Sequence, residues 1–160
     1  MPAELLRINA HAPEIDALRY AAHFLTRGCV VGIPTDTFYG LAADPFNLAA
    51  VDEIYRVKGR PETRALPILV NSLEQALMLV RDREGEIGGV NTAPGNFLRL
   101  VEAFWPGGLT LVMDASNRVP LKVSAYIYAE QVFIAWACAG VVASPTLQRR
   151  VAFRIALRLR

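Results

Sequence analysis

Apolar positions in "APEIDALRYAAHFLTRG", residues 12 to 28, fall at Ile15, Leu18, Ala22 and Leu25. Steps of three and four residues put these side chains on one stripe, which predicts a helix with that stripe buried. Pro13 is expected at its first helical position and Gly28 at its left-handed end. The unbroken apolar run "CVVGIP" then predicts a buried strand, with Pro34 ending the ladder because it has no N–H to donate. Helical spacing resumes in "NLAAVDEIYRVKG" through Leu48, Val51, Ile54 and Tyr55, with Asn47 as cap and Gly59 as stop.

"LPILVN" is a second apolar strand, and "SLEQALMLV" opens with a Ser72-x-x-Gln75 capping box before a helical repeat. The pattern lapses into a loop around "GEIGGVNTAPGN". After it, "FLRLVEAFWPGGLTLVMDAS" predicts a helix, a Pro-Gly-Gly break and a strand. Helices alternate with strands, so the chain is expected to be an α/β domain with helices packed on a sheet. Strand order and direction stay open at this level.

Composition sharpens the picture in one place. The chain has 160 residues, 53% of them hydrophobic and 20% charged, which suits one globular domain and excludes a disordered polymer. Residues 1 to 125 hold 12 Lys/Arg against 14 Asp/Glu, whereas residues 126 to 160 hold 5 Arg against one Glu, so the balance moves from −2 to +4. Cys29 and Cys138 have neither metal spacing nor a disulfide framework and are read as buried thiols. The N-terminus lacks a leader's apolar core, and the run from Val132 to Ala143 is too short to span a bilayer, so a cytoplasmic protein is expected.

Two polar stretches could carry chemistry. "PTDTFYG" places Thr35, Asp36, Thr37 and Tyr39 at the exit of the first apolar strand. They serve either turn chemistry or a small polar substrate at the mouth of a sheet. "KGRPETR" gathers Lys58, Arg60 and Arg64 around a Gly and a Pro. Arg offers a planar fork and Lys a point charge, a set suited to polyphosphate, although cations also favour helix C-termini for the dipole alone. His11 and His23 fit no triad, and Asp36 is read as a turn former rather than a magnesium ligand.

Taken in order, "PTDTFYGL", a helix, "KGRP", "LPILV" and "FWPGGLTLVM" resemble the YrdC-like family of threonylcarbamoyl-adenylate synthases, from about Ala12 to about Ala125. The resemblance implies a YrdC-like fold, a twisted mixed sheet with packed helices, and an enzyme that joins L-threonine, bicarbonate and ATP, with Mg2+, into threonylcarbamoyl-AMP and pyrophosphate. A tRNA and a complex that transfers the threonylcarbamoyl group to it are the implied partners, with no membrane. By position, Thr37 and Thr35 would contact threonine, while Lys58, Arg60, Arg64 and Thr110 would hold ATP. No side chain is assigned as a catalytic nucleophile or a metal ligand.

Residues 1 to 125 therefore read as the catalytic domain and residues 126 to 160 as a divergent basic, apolar tail, leaving the C-terminal part of the fold incomplete. The family pattern would continue with a Ser-Ala-Asn run, but no Asn follows Asn117. A shifted reading frame or alternative splicing accounts for such a tail. So does a basic helix, since Val151, Ile155 and Leu159 recur every four residues beside Arg150, Arg154 and Arg158. An active synthase, a non-catalytic RNA-binding module and a truncated, poorly folded isoform are the three alternatives at this point.

Overall fold

The computed structural model describes residues 3–9, 12–35, 38–81, 95–124, 131–136 and 153–157. In chain order they form β1 (Glu4–Ile8), α1 (Ile15–Thr26), β2 (Val31–Pro34), β3 (Tyr39–Ala42), α2 (Leu48–Lys58), β4 (Ile68–Val70), α3 (Leu73–Leu79), α4 (Gly95–Phe104), β5 (Thr110–Asp114), β6 (Gln131–Trp136) and β7 (Phe153–Leu157). The strands make two sheets. One is antiparallel in the order β1-β7-β2-β3, and the other, β4-β6-β5, is mixed, with β6 parallel to β4 and antiparallel to β5. The chain divides into two compact units, Met1–Arg60 with Ala139–Arg160, and Pro61–Cys138. The α/β class expected from the alternation is the one observed.

In the first unit, Ile8, Ala21, Phe24, Cys29 and Val31 make the core, flanked by Leu6, Ala17, Leu25 and Ile33. This corrects the stripe predicted for α1. Ile15 and Leu18 are 64% and 42% exposed, and Ala22 is exposed too, so of the expected set Leu25 alone faces the core. The face that packs carries Ala17, Ala21 and Phe24, whose two small residues let the helix come close to the strands. Pro13 is also displaced from its expected place. Glu14, in extended backbone, is the N-cap, and its carboxylate accepts a hydrogen bond from the Asn9 N–H at 3.2 Å.

Both described helices of this unit end on a left-handed glycine. Cys29 N–H donates to Phe24 O and Gly28 N–H to Leu25 O, each at 2.9 Å, closing a Schellman turn with Gly28 at φ +75°. Asn47 caps α2 as expected, its side chain accepting from Ala50 N–H at 3.2 Å, and the same side chain fills the space beside Gly28. A β-carbon at Gly28 would collide with Asn47 Nδ2. Gly28→Ala is therefore expected to destabilise the protein by about 1–2 kcal/mol or more, from the left-handed backbone and the collision together. Thermal unfolding followed by circular dichroism checks this, and an unchanged midpoint would refute it.

The second unit is centred on β6, where Val132 and Ile134 are buried, and on Phe97 of α4, which meets Trp105 edge to face at 6.2 Å. The predicted capping box forms in a shifted version. Gln75 N–H donates to Ser72 Oγ at 3.2 Å, while the Gln75 carbonyl accepts from Asn71 N–H rather than from Ser72. Trp105 Nε1 donates to Leu109 O at 2.8 Å across the Pro-Gly-Gly break, and the Trp105–Pro106 peptide is cis.

Within the basic stretch read as a helix, Phe153–Leu157 form strand β7 instead, while Arg150, Val151, Arg158 and Leu159 lie outside the described residues. The strand pairs antiparallel with β1 from Glu4↔Leu157 to Ile8↔Phe153, and with β2 at Val31↔Leu157 and Gly32↔Ala156. Two hydrogen-bonded neighbours outweigh the weak propensity of an isolated short helix. Among the described residues no helix is long and apolar enough to cross a membrane. His11, Asp36 and Cys138 lie outside the described residues, Cys29 is buried with a free thiol, and His23 is exposed on α1.

Candidate functional site

The hydroxyl-rich stretch is the tip of a hairpin. β2 and β3 pair from Val31↔Ala42 to Pro34↔Tyr39, and Thr35 and Phe38 close the turn. Thr35 N–H donates to Phe38 O at 2.9 Å, its hydroxyl also donates to that carbonyl, and Phe38 N–H donates back to Thr35 Oγ1 at 3.2 Å. The Thr35 side chain thus performs turn chemistry, one of the two roles open to it from the sequence. Gly40 lets it approach, since a β-carbon there would lie 3.3 Å from Thr35 Cγ2. Thr37 falls between these closing residues and lies outside the described set. Phe38, 84% exposed, and Tyr39 stand out at the tip.

Lys58 is the last residue of α2 and is exposed. Gly59 follows in the left-handed region at φ +56°, and Arg60 N–H then donates to Tyr55 O at 3.0 Å. This second Schellman turn fixes the backbone of Arg60 against a helix whose Ala50, Val51, Ile54 and Tyr55 are buried, and Arg60 itself is half-buried. Arg56, one turn earlier, is engaged differently. Its Nε donates to Glu53 Oε2 at 2.7 Å, and hydrogen bonding first and the Glu53 charge second raise its already high pKa. Of the cations near this helix end, Arg56 belongs to a surface ion pair and Lys58 and Arg60 to the candidate site.

In the second unit, Arg64 is exposed on a turn closed by its own N–H donating to Pro61 O at 3.0 Å. The turn is anchored from outside by Leu66 N–H donating to Val123 O at 2.9 Å, and by an ion pair of Glu62 with Lys122 at 4.0 Å. Thr110 opens β5, exposed and in register with Ala135 of β6. Thr35, Lys58 and Arg60 thus belong to the first unit, and Arg64 and Thr110 to the second. Sequence reasoning missed the Glu62–Lys122 pair, because nothing local marks two residues so far apart as neighbours.

Comparison with known proteins bears on what these residues do. Residues 23–136 match the model of the Sua5/YciO/YrdC family, described as "Telomere recombination". The match runs past Ala125, where the motifs leave the family pattern, to the end of β6. The chain is 38% identical to the threonylcarbamoyl-AMP synthase of Pyrococcus abyssi over 67% of its own length and 28% of that relative's. With the threonylcarbamoyl-AMP synthase of Halorhodospira halophila it shares 34% identity over 67% of this chain and 51% of the relative. It therefore spans about half or less of these relatives' length. Among solved structures, P. abyssi Sua5 complexed with L-threonine is similar, with a TM-score of 0.71 at 30% identity, covering 92% of this chain and 39% of that one. E. coli YciO shares the fold, with a TM-score of 0.66 at 16% identity over 94% of this chain and 65% of that one.

Proposed function

Because the chain belongs to the Sua5/YciO/YrdC family, we propose that it joins L-threonine, bicarbonate and Mg–ATP into threonylcarbamoyl-AMP, releasing pyrophosphate and water. The observation that carries this reading is the likeness, in both sequence and fold, to a relative whose structure holds L-threonine.

In this reading the β2–β3 turn recognises threonine. Thr35 shapes the turn through its bonds to Phe38, and Thr37 contacts the amino acid. Lys58 and Arg60 of the first unit, and Arg64 and Thr110 of the second, are each assigned to the phosphates of ATP. Adenylate formation needs an oxygen nucleophile to attack the α-phosphorus while negative charge builds on the phosphate oxygens and the departing pyrophosphate. Cations held in place before the reaction stabilise that charge without reorganising, and magnesium carried on the phosphates shares the task. No nucleophilic side chain is required. A complex that passes the threonylcarbamoyl group to tRNA would consume the product, and the cytoplasm is the proposed setting for both.

Residues 118–160 contain no Asn, so they do not supply the Ser-Ala-Asn run that the family resemblance implies for the nucleotide pocket. Turnover is accordingly expected to be slow. The purified chain, given threonine, bicarbonate, magnesium and ATP, should release pyrophosphate above a control lacking threonine, and more slowly than P. abyssi Sua5 assayed alongside. Release no greater than in the control would overturn the reading for this chain.

A further inference from the structure

The turn that carries Arg64 contains an acid as well as a base. Glu62 lies two residues before Arg64, and a carboxylate at that distance opposes a polyanion approaching the guanidinium. The fold answers it with Lys122. The Lys122 Nζ lies 4.0 Å from Glu62 Oε1, and its side chain is only 18% exposed against 55% for Glu62. The segment bearing Lys122 is itself held firmly. Val123 N–H donates to Pro120 O at 2.9 Å, the hydroxyl of the buried Ser124 donates to Leu121 O at 3.1 Å, and Val123 O receives Leu66 N–H. Lys122 is thus a mostly covered cation, on a rigid turn, directed at the one carboxylate of the stretch Arg60 to Arg64.

We propose that Lys122 is a positioning residue for nucleotide binding: it neutralises and restrains Glu62 so that Arg64 meets the phosphates without a competing negative charge. This rests on the phosphate role of Arg64 in the function proposed above. An isolated surface ion pair contributes little to stability, so the effect belongs to binding rather than to folding.

The test is ATP affinity measured by calorimetry on the intact chain. Lys122→Met should weaken ATP binding by about fivefold, the upper end for one partly exposed pair, and leave threonine affinity unchanged. Removing the acid as well, in the double variant Lys122→Met with Glu62→Gln, should restore affinity, since no charge then remains to neutralise. A merely structural Lys122 would not be rescued in this way, and failure of the second substitution to restore binding overturns the proposal. So does a Lys122→Met variant that binds ATP as the parent does, provided Arg64→Ala weakens binding. If Arg64→Ala also leaves ATP affinity untouched, what fails is the phosphate role of Arg64, and the proposal falls with it.

Discussion

Arg60→Ala is expected to cut threonine-dependent pyrophosphate release by about 30- to 1,000-fold, the equivalent of about 2 to 4 kcal/mol of lost transition-state stabilisation. The size follows from how Arg60 is held. Its N–H is bonded to the carbonyl of the buried Tyr55, Gly59 before it occupies a left-handed turn, and Pro61 after it restricts the backbone, so the guanidinium leaves from a fixed point. A fixed backbone narrows the positions the guanidinium can reach, and a donor so restricted contributes more than one on a mobile loop. Arg56→Ala is the matched control. That side chain is bonded to Glu53 on the exposed surface, so its loss should leave release within about twofold of the parent, in keeping with the small value of exposed pairs. Equal losses in the two variants would show that general positive charge, not a placed arginine, is what matters.

The second large effect concerns folding. Phe24→Ala should destabilise the protein by about 3–5 kcal/mol, because the ring is 8% exposed, sits in the core with Ala21, Cys29 and Val31, and meets Tyr20 edge to face at 5.0 Å. Leu18→Ala, on the same helix, should cost no more than about 0.5 kcal/mol, since Leu18 is 42% exposed. Chemical denaturation followed by circular dichroism separates the two, and a Leu18 variant weaker than the Phe24 variant would contradict the packing described for α1.

That pair also shows where the sequence was legible and where it was not. α2 could be read nearly to the residue, because Asn47 and Gly59 are residue types favoured at the two ends of a helix and Val51, Ile54 and Tyr55 are buried as expected, whereas Leu48, read into the same stripe, is 49% exposed and Ala50 is buried instead. α1 carries two apolar stripes. Periodicity favours the one with the larger residues, Ile15 and Leu18, but a helix lying close on a sheet buries the stripe that allows approach, which is Ala17, Ala21 and Phe24. The C-terminal stretch fails for another reason. A recurrence every four residues fits a helix of period 3.6 and equally a strand of period two, and only the pairing partners β1 and β2 decide. At the candidate site, the cations were visible as a local cluster, whereas the work of Thr35 at the hairpin turn and the reach of Lys122 to Glu62 depend on contacts that local pattern does not encode.

The strand order β1-β7-β2-β3 governs how this chain can be made. Among the described residues β1 touches its sheet only through β7, so β1 has no strand partner until residues 153–157 have been synthesised. Until then α1 can cover Ile8 and Val31, but the strand edges that pair with β7 stay open, and holdase chaperones have an extended window in which to bind. Translation that stops short of Phe153 would leave an unpaired strand at each edge of that gap, a template for association between nascent chains.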